Sequence, residues 1–274
     1  MTISLVLVTS INHELAEFSL RKSIQSKKFD EVLIFSDKKI PINHPHRHIS
    51  ISNTFSRTDY SIFCLKHMYQ YIETDHVLIV QPDGMAVNSQ YWDDDFLNYD
   101  YIGPPYNINE TATNEALVEY FGLKEYKNVN KWIVGNGGFS LRSKKLLKAL
   151  QDDRIAEYFL NKETKQIFYG EDFQISIIYR DLLEKEYNIK YSPIETALRF
   201  STERLVDNGM TFGFHGWQNI PWFLTEEECL FYLNHLRPNW DEYRLNRLMG
   251  FLYEKNYYKA MMKVNELRTE WDKL

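Results

Sequence analysis

Residues 77–84 have the sequence VLIVQPDG, and the fold can be inferred from this stretch outward. Four consecutive aliphatic residues predict a short strand, and the Pro-Asp-Gly that follows is typical of a tight turn. A strand that is apolar on both faces is typical of a parallel sheet covered by helices. We therefore predict a buried strand that ends at a polar turn containing Gln81 and Asp83.

Short apolar runs alternate with helical patterns on the N-terminal side of this stretch. Apolar runs at residues 3–8, 32–35 and 48–52 predict strands, and the apolar spacing at residues 14–26 predicts a helix. Alternating strands and helices are typical of α/β proteins. We therefore predict an α/β fold with a mostly parallel central sheet and helices on both faces.

The pattern changes near residue 221, where apolar residues at helical spacing predict three successive amphipathic helices. We therefore predict an α/β domain at residues 1–220 and a helical extension at residues 221–274 that packs on it. A length of 274 residues can accommodate both parts. Residues 107–131 are polar and weakly periodic, and we expect a mobile loop or short helix that could cover a site.

The composition of the chain limits which partners the protein is expected to bind and in which cell compartment it is expected. The formal net charge is -6 and no sustained basic run occurs, which argues against a nucleic-acid partner. The two cysteines, Cys64 and Cys229, lie in apolar helical patterns, so we expect neither a disulfide framework nor a thiolate metal site. The first residues predict a strand rather than a signal peptide, and no apolar run is long enough to span a membrane. We expect a cytoplasmic protein, with at most peripheral association at the inner face of the cytoplasmic membrane.

Polar residues follow the predicted strands, at the edge where open α/β sheets bind ligands. The side chains of different strand ends meet at this edge, so we expect them to outline one crevice. The strand-end segments are Thr9 with Ser10, Ser36 with Asp37, residues 81–84, residues 136–138 and residues 214–216.

Four short motifs occur in a fixed order along the first 220 residues. They are VLIVQPD at residues 77–83, GNGGFSLR at 135–142, Glu171 with Asp172, and FGFHG at 212–216. These motifs and their order resemble those of GT-A glycosyltransferases, in particular those of a bacterial family encoded with surface-polysaccharide and O-antigen genes. The resemblance implies an inverting transferase that moves a sugar from a nucleoside-diphosphate donor, uridine-linked, to a glycan or lipid-linked oligosaccharide acceptor.

The resemblance also implies a metal site. In the family, aspartates after the fourth strand and a later histidine hold Mn²⁺ or Mg²⁺ against the donor diphosphate, and Asp83 and His215 match those positions. Such a cation stabilises the charge of a departing diphosphate. Gln81 stands at the first aspartate position and supplies no charge. Asp83 as a simple turn residue and His215 as a buried histidine are alternatives that stay open.

An acidic pair is the candidate catalytic group. By resemblance, Asp172 is the general base that deprotonates the acceptor hydroxyl, and Glu171 orients the acceptor or the base. The alternative is that both carboxylates only stabilise the start of a helix. We expect the helix N-terminus to lower the pKa of Asp172.

The remaining candidates bind the donor. The resemblance implies that donor sugar and acceptor lie at Asn136, Gly137 and Gly138, although consecutive glycines also form tight turns. Asp37 is a candidate ligand of the base or ribose, or alternatively a turn cap. Thr9, Arg57, Gln81 and Asp83 complete the predicted donor site, with a solvated side chain as the alternative for Arg57. Trp132, Trp217 and Trp222 are expected to flank the crevice.

Two other functions compete with glycosyl transfer. A sugar nucleotidylyltransferase needs a glycine-rich, basic phosphate loop after the first strand, and residues 9–14, TSINHE, contain no glycine. A non-catalytic glycan- or nucleotide-binding protein that kept the fold is the second alternative. Gln81 is the feature that favours it.

Overall fold

The computed structural model describes residues 1–107, 132–160, 167–168, 170–204, 209–236 and 242–271. The segment at residues 107–131, which we predicted to be a loop or short helix over the site, lies outside this range beyond Asn107. The described residues form an α/β fold with a helical C-terminal part.

A six-stranded sheet forms the centre of the fold. The described strands are β1 (Ile3–Thr9), β2 (Glu31–Ser36), β3 (Arg47–Ser50), β4 (His76–Val80), β5 (Gly84–Ala86), β6 (Tyr101–Ile102), β7 (Pro105–Asn107), β8 (Trp132–Val134), β9 (Ser140–Ser143), β10 (Phe159–Leu160), β11 (Ile167–Phe168), β12 (Ser201–Thr202) and β13 (Gly213–His215). The central sheet has the order β3-β2-β1-β4-β9-β6. Its first four strands are parallel, and β9 runs antiparallel to both β4 and β6.

The central strands are covered on both faces. Every residue of β1 and of β4 is buried, so the alternating side chains of these strands find apolar partners above and below the sheet. The register pairs Leu5 with Val32 on one side and with Leu78 on the other. The predicted fold class, α/β with a mostly parallel central sheet and C-terminal helices, is confirmed.

A smaller sheet positions the turn after β4. It has the order β12-β13-β5. Strand β5 begins directly after the turn at Asp83 and pairs antiparallel with β13, with Gly84 opposite His215. This pairing brings two candidate metal ligands, far apart in sequence, to the same edge.

Helices surround both sheets. The described α-helices are α1 (His13–Ser26), α2 (Arg57–Ile62), α3 (Lys144–Ala149), α4 (Glu171–Phe173), α5 (Arg180–Tyr187), α6 (Ile194–Phe200), α7 (Ile220–Phe223), α8 (Glu226–His235), α9 (Glu242–Glu254) and α10 (Tyr258–Trp271). Two π-helical turns (Phe63–His67 and Gln174–Ile178) extend α2 and α4, and a 3-10 turn (Trp217–Asn219) follows β13.

The three predicted C-terminal helices are α8, α9 and α10. Their apolar faces form a second core cluster, and Leu15 and Phe18 of α1 belong to the same cluster as Cys229, Leu233 and Leu248. Because one cluster joins the first helix to the last ones, the extension is held by apolar packing. The boundary between residues 220 and 221 stays a prediction.

Two further expectations concern cysteines and membranes. Cys64 and Cys229 are buried and form no disulfide, as predicted. Among the described residues, no helix combines the length and the apolar character that crossing a membrane requires.

Leu248→Ala should lower the free energy of unfolding by about 2 to 5 kcal/mol, because it opens a cavity in the second cluster. Leu248 is 0% exposed. Since this cluster includes α1, urea denaturation followed by circular dichroism should show one transition shifted as a whole.

Met262→Ala is the matched control, because Met262 lies on α10 and is 65% exposed. Its effect should stay within about 0.5 kcal/mol. A separate early transition of the helical part in Leu248→Ala would contradict the shared core.

Candidate active site

A cavity of about 500 Å³ opens where β1 and β4 end. Its volume lies in the range of small-ligand sites. All but one of the residues predicted to act on donor, metal or acceptor line it. They are Thr9, Arg57, Gln81, Asp83, Asn136, Gly137, Gly138, Glu171, Asp172 and His215.

Asp37 is the exception, because it is not part of the cavity wall. Its carboxylate lies 2.7 Å from Nε2 of His13. This pair joins the end of β2 to the first residue of α1. The contact of Asp37 with a nucleotide is therefore not supported by its place in the fold and stays a prediction.

The turn after β4 carries Asp83 and is held in place from two sides. The amide of Gly84 donates to the carbonyl of Gln81 at 3.0 Å, which closes a four-residue turn. The amide of Gly216 donates to the carbonyl of Asp83 at 2.8 Å. Asp83 is thus a turn residue, as the sequence alternative had it, and its side chain also lines the cavity.

His215 lies at the centre of a polar cluster. Its Nε2 is 3.5 Å from Oδ1 of Asp83 and 3.3 Å from Oε1 of Gln81. Its Nδ1 is 3.4 Å from Oε1 of Glu203. One imidazole therefore bridges two carboxylates that come from β-strand ends far apart in sequence.

The carboxylates determine the charge of this cluster. Burial lowers the pKa of His215, but Asp83 and Glu203 outweigh burial and raise it to about 10. Burial opposes the ionisation of Asp83, but His215 holds the pKa of that carboxyl below its usual value. In the absence of a metal ion the imidazole is therefore a cation at neutral pH.

The cluster provides some, but not all, of the ligands that a divalent cation needs. Among the residues the structure describes, no group of three or more His, Cys, Asp or Glu side chains could hold a metal ion. Asp83 and His215 supply two donor atoms, and Glu203 lies against Nδ1, as carboxylates behind metal-bound histidines do. Mg²⁺ is commonly held by one or two carboxylates together with substrate phosphates, and Asp83 is one such carboxylate. The residues therefore fit an ion whose other ligands come from a bound diphosphate.

The backbone at Gly137 and Gly138 passes between the two groups of acidic residues. A Cβ at Gly138 would overlap the imidazole of His215, and a Cβ at Gly137 would overlap the carboxylate of Glu171. Asn136 fixes this backbone, since its Oδ1 accepts from the amide of Gly138 at 2.8 Å. The glycines are needed here because site side chains already fill the space that a Cβ would take.

Glu171 and Asp172 begin α4, as predicted, but only one of them is available to a ligand. Glu171 is 4% exposed and its Oε1 accepts from Nη2 of Arg142 at 2.9 Å. Asp172 is half-buried, and its Oδ2 accepts from the amide of Gly137 at 3.3 Å. Glu171 is thus engaged in a buried ion pair, while Asp172 keeps an exposed face in the cavity.

The expectation that the helix N-terminus lowers the pKa of Asp172 is wrong. Burial and the neighbouring Glu171 carboxylate raise the pKa of Asp172 from 3.8 to about 6. Its two amide hydrogen bonds, from Gly137 and Phe173, favour the ionised form but do not compensate. Burial and the Glu171 carboxylate therefore outweigh any stabilisation of the ionised form by the helix N-terminus.

Two of the three tryptophans expected to flank the crevice do not line it. Trp217 does, whereas Trp132 lies on β8 and pairs with Asn107 of β7. Trp222 packs edge-to-face against Phe251 at 5.6 Å between ring centroids. The ring of Trp222 thus takes part in packing, which is the commoner role of a tryptophan.

Sequence reasoning missed Glu203 and Arg244, which both line the cavity. Glu203 follows β12, a strand of two residues that gives no periodic signal. Arg244 lies on α9 beside the buried Leu245, where a cation in an amphipathic pattern is normally a solvated residue. Only the tertiary fold brings them to the site.

Asp172→Asn should raise the free energy of unfolding at neutral and alkaline pH. The pKa of Asp172 is raised in the folded protein to about 6, so the folded state binds this proton more tightly than the unfolded chain. Ionisation of Asp172 therefore costs stability as the pH rises from about 4 to about 6. Urea denaturation should show a gain that is largest near pH 8 and nearly absent near pH 4.

Asp181→Asn is the control, since Asp181 is exposed on α5 and pairs with Lys185 at 2.6 Å. Its effect should be small at both pH values. A stability change in Asp172→Asn that is independent of pH would show that the carboxyl titrates normally.

Solved structures with a similar fold have low sequence identity. A mycobacterial protein is 12% identical over 53% of each chain, so the match spans about half of its length, with a TM-score of 0.37. Glucosyl-3-phosphoglycerate synthase from Mycobacterium tuberculosis, in complex with Mn²⁺, UDP and glucosyl-3-phosphoglycerate, is 14% identical over 72% of this chain and 76% of that chain, with a TM-score of 0.44. The mannosyltransferase Ktr4p from S. cerevisiae, in complex with GDP, is 9% identical over 56% of this chain and 61% of that chain, with a TM-score of 0.36. With TM-scores below 0.5, these similarities assign neither a donor nor an activity to this chain.

A comparison of the sequence with curated proteins gives no match. One family model matches residues 46–215, which is more than half of the chain. The matched range includes Asp83, Asp172, Glu203 and His215. This chain therefore belongs to the family described as "Protein of unknown function (DUF5672)".

Proposed function

We propose that this protein is a glycosyltransferase that moves a sugar from a nucleoside-diphosphate donor to an acceptor hydroxyl with inversion. One observation carries the proposal. Asp172 contacts the backbone of Gly137 and His215 packs against Gly138, so a candidate base and a candidate diphosphate site flank one glycine pair in one cavity. Direct displacement at an anomeric carbon needs a base on one side of the sugar and a stabilised leaving group on the other.

Asp172 has the properties of a general base for this reaction. A pKa of about 6 leaves the carboxylate ionised at neutral pH but more basic than an ordinary aspartate. A base whose pKa lies near the working pH takes up a proton most effectively. Glu171 does not touch the acceptor in this proposal, because it is held by Arg142; its charge keeps Asp172 basic.

Asp83 and His215 form the leaving-group side. Asp83 and His215 would hold Mn²⁺ or Mg²⁺, which would neutralise the charge that develops on the departing diphosphate. The protein itself orients these ligands: the Gly84 amide closes the turn that carries Asp83, and Glu203 lies against Nδ1 of His215. Gln81 contributes an amide oxygen in place of a second carboxylate.

The proposal names only the chemical class of the donor, a nucleoside-diphosphate sugar, and of the acceptor, a hydroxyl compound. Thr9, Arg57, Asn136 and the two glycines line the same cavity and are proposed to contact the nucleotide and the sugar. A uridine base, a glycan or lipid-linked acceptor, a role in surface-polysaccharide synthesis and a cytoplasmic site of action stay predictions from the resemblance. Gln81 favours the alternative of a binding protein without catalysis, and turnover separates the two.

A nucleoside diphosphate should bind in a metal-dependent manner. We expect UDP or GDP to bind at submillimolar concentration with Mn²⁺ present, and Asp83→Asn to weaken that binding by about tenfold or more, because a charged ligand is lost. Isothermal titration calorimetry measures both.

Excess chelator should weaken binding by the wild-type protein to the level of Asp83→Asn, and Asp181→Asn should bind like the wild type. Equal affinity with and without chelator would remove the metal from the proposal. If no nucleoside diphosphate binds, the proposed glycosyltransferase function is excluded.

Asp172→Asn should reduce turnover by about two orders of magnitude or more while leaving nucleotide affinity nearly unchanged. An interaction made mainly in the transition state gives this separation. Turnover is measured as transfer or as slow hydrolysis of the sugar nucleotide, and in the wild type it should fall below about pH 6 as Asp172 becomes protonated.

The stereochemistry of the product, determined by proton NMR, gives an independent check. Retention of the donor's anomeric configuration, or near-normal turnover by Asp172→Asn, would exclude Asp172 as the base. No turnover by a wild-type protein that binds its donor would favour the binding protein.

A further inference from the structure

The C-terminal part of the chain contributes a cation to the candidate active site. Arg244 of α9 lines the cavity. It interacts electrostatically with both Asp83 and Glu203, so it lies on the side of the cavity where the Asp83–His215 pair is found. The reaction as proposed so far gives this side chain no role.

The position of α9 is fixed relative to that pair. Helix α9 packs against the 3-10 turn that follows His215, and its Leu245 and Leu248 are buried in the second core cluster. In the preceding helix, the hydroxyl of Tyr232 donates to the carbonyl of Pro82 at 3.1 Å, directly before Asp83. The helix that carries Arg244 therefore packs next to His215, and the helix before it is hydrogen-bonded to the turn that carries Asp83.

The described part of the cavity wall carries three cationic side chains together with four carboxylates. Arg57, His215 and Arg244 are the cationic side chains among the described residues of the cavity wall. His215 and Arg244 interact with the same two carboxylates, those of Asp83 and Glu203, but Arg244 has five N–H donors, so it can contact a carboxylate and a phosphate together. A guanidinium presents a planar fork of N–H donors that can bind two phosphate oxygens at once, and it stays charged at any working pH.

We propose that Arg244 binds a phosphate group of the nucleotide donor, which makes the C-terminal extension part of the donor site. This inference rests on the proposed function, because it takes a nucleoside diphosphate as the ligand. It differs from a purely structural role, in which Arg244 only neutralises Asp83 and Glu203. In that case its loss would affect a ligand with and without phosphates to the same extent.

The test compares UDP with uridine, and GDP with guanosine, in calorimetric titrations with Mn²⁺. Arg244→Gln should weaken binding of the diphosphate by about tenfold or more, as expected for a lost charge-assisted hydrogen bond, and leave nucleoside affinity within about twofold. Arg244→Lys should recover part of the loss, because the charge is kept. Arg247→Gln is the matched control, since Arg247 lies on the same helix, near the ring of Phe251 and outside the cavity wall.

The outcomes separate this inference from the proposed function. If the wild type binds a diphosphate and Arg244→Gln binds it equally well, the inference is overturned and the proposed function stands. Equal weakening of diphosphate and nucleoside overturns it too, in favour of a structural role. If the wild type binds neither diphosphate, the proposed function fails and the inference with it. Thermal denaturation of each variant checks that it is folded.

Discussion

The candidate site depends on the backbone of Gly137 and Gly138, which passes between two side chains with no space for a Cβ. On one side lies Glu171 and on the other the imidazole of His215. Because neither residue of this dipeptide has a side chain, Asp172 and the Asp83–His215 pair can face the same cavity. A wider connection would move the two charged groups apart and leave no common space for a substrate.

Electrostatics adds a second constraint. Arg142 is 0% exposed, its guanidinium donates to Glu171 at 2.9 Å, and its ring neighbour Tyr101 is fully buried as well. Buried ion pairs contribute little net stability, but breaking one costs about 3 to 5 kcal/mol because a buried charge is left without its partner. The pair therefore anchors α4 to β9 and keeps a negative charge next to Asp172. Raised and lowered carboxyl pKa values in one cavity are typical of functional sites.

The sheet was predictable from the sequence, and the charge arrangement was not. Apolar runs predicted the parallel strands because buried strands need apolar side chains on both faces, and the turn at Asp83 followed from its local residue preferences. Glu203 and Arg244 approach Asp83 only through tertiary pairing, and the sequence around them carries no local signal for it. The pKa of Asp172 was predicted in the wrong direction for the same reason. A local rule, the helix dipole, was outweighed by burial, and burial is a property of the whole fold.

The second core cluster joins Leu15 and Phe18 of α1 to residues of α9 and α10, nearly the whole described length of the chain away. During synthesis on a ribosome, α1 emerges long before these partners, and its apolar face stays uncovered until they arrive. Contacts between such distant segments form slowly, because a long loop must close first. The residues of the central sheet, which end at Ser143, are synthesised well before Arg244, so the cavity wall can be completed only after every strand of that sheet has been made.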